Sequence, residues 1–168
     1  GSAQVAHGSI AEDSGNISSQ ITGITPNNFS SRLNLSYEEI DRHALSAPAS
    51  ARATVESLAA YLIEPAKNDR EKARAIFRWI AANIDYNVQV FFRGGSGPTA
   101  AADVLKSGKS VCYGYSDLYL ALAKEAGLEA AMVSGYGKGY GYQPGDNFSG
   151  PSNHAWNAVL INGSWYLV

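Results

Sequence analysis

A single cysteine, Cys112, is the only thiol in this 168-residue chain. An intramolecular disulfide is therefore excluded, and the redox compartment cannot be read from cysteine usage. Long hydrophobic runs are missing too, and no apolar stretch reaches the length needed to span a bilayer. No block of Lys or Arg stands out and the formal charge is only -2, which argues against nucleic acid or an anionic membrane as the main partner. The histidines and the cysteine are scattered without paired ligand spacing, so no structural zinc is expected, and no acidic loop has calcium-site spacing. Gly108-Lys109-Ser110 resembles the end of a phosphate-binding loop, but Asp103 stands where that loop needs a glycine. The glycines at 135, 137, 139 and 141 do not give the dinucleotide spacing, and no internal repeat is present.

What remains is a chain of one-domain size, 45% apolar, which is enough for a true core. Residues 1–34 are polar and carry no sustained period of 2 or 3.6, which predicts a flexible arm. Gly1-Ser2 matches the scar left by tag cleavage, so the natural start, with any signal peptide, is expected upstream. Richness in Ser, Asn, Gly and Tyr fits an extracytoplasmic or secreted protein without fixing the compartment. The N-x-S sequons at Asn16, Asn28, Asn34, Asn147 and Asn162 carry meaning only where a host glycosylates secreted proteins.

Periodicity places the elements. Ser36-Tyr37-Glu38-Glu39 is a capping-box pattern, predicting a short helix over 37–45. A second helix fits 50–63, with Val55, Leu58, Ala59 and Leu62 on one face, and Pro65 ends it. Asp69 then caps a third over 70–83, whose apolar stripe is Ala73, Ile76, Phe77, Ile80 and Ile84. Arg70, Lys72, Arg74 and Arg78 lie mostly off that stripe and read as a solvated face. Residues 85–93 are aromatic and β-branched and read as a strand or extended segment. Thr99 is placed to cap a short helix ending near Lys106. Residues 128–136 read as a strand, 137–152 as a long Gly- and Tyr-rich loop, and 154–161 as an alternating strand with His154, Trp156, Ala158 and Leu160 on one face. Asn162-Gly163 is a hairpin turn, and 164–168 begin the return strand. His7 falls in the arm and His43 on a helix surface, and neither carries a functional case.

The chemistry concentrates at Cys112. Tyr115, Leu118, Tyr119, Leu122 and Ala126 follow it at helical spacing, and Gly127 is placed to stop that helix. Cys112 is thus expected in the first turn, where unpaired N–H groups and the positive end of the helix dipole favour a thiolate. That is the form a nucleophilic cysteine needs; a small buried apolar residue is the competing reading. A thiolate also needs a base, and the base needs an orienting group. His154 opens a strand just after a loop, where its side chain can face a cleft.

The chain resembles the transglutaminase-like superfamily, which has a papain-like catalytic core, and within it the kyphoscoliosis-peptidase type. The residues that carry the likeness are Val111-Cys112-Tyr113-Gly114-Tyr115-Ser116, His154-Ala155-Trp156-Asn157 and Gly163-Ser164-Trp165-Tyr166-Leu167-Val168. The run from Asp69 to Tyr86 looks like the family's helix before the core. The likeness covers residues 36–168. It implies an α+β domain over 35–168, with N-terminal helices packed on an antiparallel sheet and the nucleophile at the head of a central helix. It also implies Cys112 as nucleophile, His154 as general base and acid, and an orienting aspartate directly after the G-x-W-Y-x-V strand. That position would follow Val168, so the domain reads as truncated at its C-terminus. Asn153, Asn157 and Asp117 are the substitutes considered.

The expected reaction is acyl transfer from a protein or peptide amide through a thioester, as a peptidase or a transglutaminase-like enzyme, with no cofactor or metal. The Cys112 backbone N–H is one expected oxyanion donor, with Tyr86 or Asn87 considered for a second. Tyr113, Tyr140, Tyr142 and Trp156 are candidates to line the acceptor cleft, with aromatic packing as the competing reading. The alternative function is a catalytically silent module that binds protein or peptide partners. Self-association through an unfinished sheet edge is a further expectation.

Overall fold

The first element of the computed structural model, which describes residues 37–140, 142–147 and 149–168, is helix α1 over 37–45. The arm expected over 1–34, with His7, and the Ser36 end of the capping box lie outside the described residues. Ile40 and Ala44 bury one face of α1. Asp41 anchors it differently, accepting hydrogen bonds from Arg74 at 2.8 and 2.6 Å with Arg78 at 3.7 Å. The cationic face that read as solvated is thus partly spent on tying two helices together. His43 is likewise engaged: it stacks on Tyr61 with ring centroids 4.1 Å apart.

A short 3-10 turn, Ala51–Ala53, precedes α2 (Val55–Leu62). The start falls at Thr54 rather than near Ser50, because Thr54 and Ser57 form a reciprocal capping box. The expected face of Val55, Leu58, Ala59 and Leu62 is buried. In α3 (Asp69–Asn83) the cap is Asn68 instead of Asp69, its side chain accepting from the Glu71 N–H at 3.0 Å. The buried stripe of α3 is Ala73, Ala75, Ile76, Trp79 and Ile80. Phe77, expected in that stripe, is 46% exposed.

Residues 85–93 correct the reading as one strand. They form a two-residue strand, β1 (Asp85–Tyr86), and then a one-turn helix, α4 (Val88–Phe92). Asn87 is the reason, since its side chain accepts from the Val90 N–H and starts a helix. Strand propensity over so short a run yields to that cap. Helix α5 (Ala101–Ser107) starts without the expected Thr99 cap; Asp117 Oδ2 takes the Ala101 N–H at 2.8 Å. Strand β2 (Lys109–Ser110) then pairs in parallel with β1, Tyr86 opposite Ser110.

Helix α6 (Cys112–Glu125) is the centre of the core, with Leu118, Tyr119, Leu122 and Ala123 buried. Gly127, at φ 72°, follows its end as expected. Full burial of Leu58, Leu62, Ile76, Leu118 and Leu122 stabilises the fold by about 1.5–3 kcal/mol per side chain. Gly114 brings α6 very close to its neighbours: a Cβ there would lie 2.0 Å from Ser110 Oγ and 2.9 Å from Val104 Cγ2. Ser110 is itself held, donating its hydroxyl to the Pro98 carbonyl at 2.6 Å. The Tyr115 hydroxyl donates to the Ile84 carbonyl, tying α6 to the end of α3.

The antiparallel sheet runs in the order β3 (Ala130–Gly135), β4 (His154–Ile161), β5 (Ser164–Leu167). Leu128, expected in β3, instead donates its N–H to Ala123 at the end of α6. β4 alternates as expected; Ala155, Asn157, Val159 and Ile161 are its buried face, and Asn157 Nδ2 donates to the Ser116 carbonyl of α6 at 3.1 Å. Asn162 and Gly163 make the hairpin turn at φ 51° and 77°. β5 is exposed along its whole length. The architecture is α+β, with the antiparallel sheet and the helices meeting on α6. Among the described residues no helix is long and apolar enough to cross a membrane.

Gly114→Ala is expected to cost about 1–3 kcal/mol by overpacking the Ser110 contact, read as a lower urea midpoint; an unchanged midpoint contradicts the close-approach account. Hydrogen bonding from Arg74 holds the Asp41 carboxyl below its ordinary value of 3.8. Its contribution is complete above that value and is lost as pH falls through the lower folded one. Asp41→Asn should therefore flatten the acid limb of the stability curve below about pH 4. An acid limb as steep as that of the wild type would mean the pair contributes nothing.

Candidate active site

Cys112 is the first residue of α6, and Val111 before it gives no side-chain cap. The Gly114 and Tyr115 amides turn back to the Val111 carbonyl, which leaves the Cys112 amide at the open head of the helix. Val111 is buried while Cys112 is partly exposed, so the side chain is reachable. The dipole of a helix this long favours negative charge at that end.

His154 stands at the first position of β4 and is exposed. The loop that precedes it passes tightly over the ring: a Cβ on Gly137 would lie 3.1–3.3 Å from three imidazole and Cβ atoms of His154. Asn153 holds that crossing, its Oδ1 accepting from the Gly137 N–H at 2.8 Å. Trp156, two residues on and on the same face, has its ring 5.9 Å from the imidazole. Gly135 gives room for the indole, since a Cβ there would meet it at 2.7 Å.

Cys112 and His154 border one cavity of about 350 Å³. Trp156, Tyr86, Phe77, Ile80, Tyr115 and Asn157 are also in its wall. Two further hydroxyls there, Ser116 Oγ and Tyr119 Oη, are buried without a hydrogen-bond partner among the described residues. Burial pushes the Tyr86, Tyr115 and Tyr119 phenols above their ordinary value. For Tyr86 the charge of Cys112 adds to the rise, and a hydrogen bond from the Cys112 backbone opposes it.

Of the residues singled out for binding, Trp156 lies in this cavity. Tyr113 faces elsewhere, beside Thr99, Asp117 and Met132, with its hydroxyl 3.2 Å from Ser152 Oγ. Tyr142 lies under the Lys138 ammonium, 5.2 Å from its ring centre. Tyr140 borders a second groove of about 760 Å³, which shares Tyr86 and His154 with the first and continues over Val88, Phe91 and Phe92. Phe92 meets Tyr140 edge-on at 4.9 Å. That groove was not legible while 85–93 read as a strand, although Phe91-Phe92 beside a Gly-rich loop was a usable signal. Phe77 was missed for a related reason, being assigned to the core. The substitutes considered for orienting His154 are engaged elsewhere: Asp117 caps α5, Asn153 holds Gly137, and Asn157 bonds α6. Among the described residues no group of three or more His, Cys, Asp and Glu is placed to hold a metal ion.

A cysteine at the head of the central helix, sharing a cavity with a histidine on an antiparallel sheet, defines the papain-like class of α+β domain. Within that class the chain belongs to the transglutaminase-like superfamily, whose family profile matches residues 56–168. It is 36% identical over 132 residues to the kyphoscoliosis peptidases of Mus musculus and Homo sapiens, covering 79% of this chain and 20% of theirs. Hillarin of Drosophila melanogaster is 34% identical over 135 residues, covering 80% of this chain and 16% of that protein. The chain thus spans about a fifth of the length of these relatives. A solved TGase superposes with a TM-score of 0.50 at 16% identity, over 90% of this chain and 34% of its own. A protein from Parabacteroides distasonis superposes with a TM-score of 0.52 at 14% identity, over 77% of this chain and 25% of its own. At such identities the likeness shows the fold.

Gly137→Ala is expected to displace the His154 ring and shift its imidazole NMR resonances, while stability changes by no more than about 0.5 kcal/mol. Unmoved resonances would show that the loop does not set the ring position.

Proposed function

We propose that the domain carries out cysteine-dependent acyl transfer on protein or peptide amides, with Cys112 as nucleophile and His154 as general base and acid. What supports the reading is one observation above the rest: the two side chains border the same cavity from unrelated elements, one at a helix head and one at a strand start. The thiolate attacks the amide carbonyl carbon, and the carbonyl electron pair moves to oxygen. The Cys112 N–H stabilises that oxyanion. Collapse re-forms the carbonyl and breaks the C–N bond, with His154 giving its proton to the leaving amine. Water or an amine then resolves the thioester. Trp156 is proposed to contact substrate at the cavity itself, and Tyr113 and Tyr142, which lie outside it, to contact only what extends beyond it. A protein or peptide is the proposed partner, and pairing through the exposed β5 edge is a second, independent one.

The other reading is a silent binding module that uses the same cavity for protein or peptide partners without chemistry. A mass experiment separates the two. Incubation with p-nitrophenyl acetate should add one acetyl group to Cys112, visible in the intact mass at short times and lost on standing. Cys112→Ala should show no adduct, and His154→Gln should slow acylation by at least about 100-fold. A wild-type protein that never acquires the adduct supports the silent module.

A further inference from the structure

We infer that Tyr86 is the second oxyanion donor of this site, its phenol O–H completing the pair begun by the Cys112 backbone N–H. The inference deepens the acyl-transfer reading and rests on it.

The placement follows from the backbone. β1 and β2 pair in parallel with Tyr86 opposite Ser110, and the Asn87 N–H donates to the Ser110 carbonyl at 2.8 Å. Ser110 is two residues before Cys112 and is itself bonded to Pro98. Tyr86 is therefore fixed beside the head of α6 through main-chain bonds, whatever its ring does. Its ring lies between Phe91, 6.0 Å away edge-on, and Tyr115, 6.2 Å away. The side chain is 42% exposed and is shared by the cavity and the second groove. It thus borders the cavity together with Cys112 and His154, and the groove together with His154. Asn87, also considered for this role, is not among the residues that border the cavity or the groove, and its backbone N–H is given to the Ser110 carbonyl.

The backbone of Cys112 is close enough to the phenol to oppose part of its upward shift. In the inferred complex an entering carbonyl oxygen takes both donors, the N–H of Cys112 and the O–H of Tyr86. Burial and the neighbouring Cys112 charge keep the phenol protonated at neutral pH, so it remains a donor. In the acyl-transfer step the C–S bond forms, the carbonyl pair moves to the held oxygen, and collapse expels the leaving group.

Tyr86→Phe, which keeps the ring and its neighbours, tests this with two reactions of the same thiol. Acylation by p-nitrophenyl acetate passes through an oxyanion; alkylation by iodoacetamide is a direct displacement at carbon and forms none. The expected result is an acylation rate at least about 10-fold lower, with loss of one donor costing up to about 1,000-fold, and an alkylation rate within about twofold of wild type. Equal acylation in both proteins overturns the inference. So does an equal fall in both reactions, which would place Tyr86 in support of the thiolate or the fold instead. A wild-type protein that is alkylated but never acylated removes the acyl-transfer reading and the inference with it, whereas failure at Tyr86 alone leaves that reading standing.

Discussion

The close contact between Gly114 and Ser110 sets the depth at which the central helix sits, and most of the architecture depends on it. With no Cβ at 114, the first turn of α6 drops against β2, whose Ser110 is held by the Pro98 carbonyl. The same contact places the Cys112 amide beside Tyr86, because β1 and β2 are paired at Ser110. On the opposite side, Asn157 bonds the Ser116 carbonyl and brings β4, with His154 at its start, to the same helix turn. One glycine, one serine and one asparagine thus bring the thiol and the imidazole to one cavity, and none of the three has to take part in chemistry.

Much of this was legible in the sequence, and the reasons differ by element. The period of α6 and the glycine after it gave both ends of the central helix, because a buried helix must repeat its apolar residues at its own pitch. The alternation of β4 and the Asn162-Gly163 turn gave the hairpin for the same kind of reason. Residues 85–93 were not legible, since strand propensity and a side-chain cap competed and only the cap is a local bond. Phe77 was read as core because its spacing fits the helix stripe; the cavity wall needs apolar residues at the same spacing. The site pair, Cys112 and His154, could be named from residue chemistry and from family likeness. Their shared cavity depends on contacts between distant elements, and those leave no local mark.

Membership of the transglutaminase-like superfamily accounts for the fold. It does not by itself supply a reaction, since folds are reused for binding as well as for catalysis. The surface argues in the same two directions. An aromatic groove over Val88, Phe91, Phe92 and Tyr140 runs into the cavity that holds Cys112 and His154. The distinction lies at the sulfur.

The most direct measurement is the rate of Cys112 alkylation by iodoacetamide at about pH 7, in wild type and in His154→Gln. If a helix head and an imidazole act together on the sulfur, the wild-type thiol is alkylated at least about 10-fold faster than that of the variant. Equal rates would contradict the account.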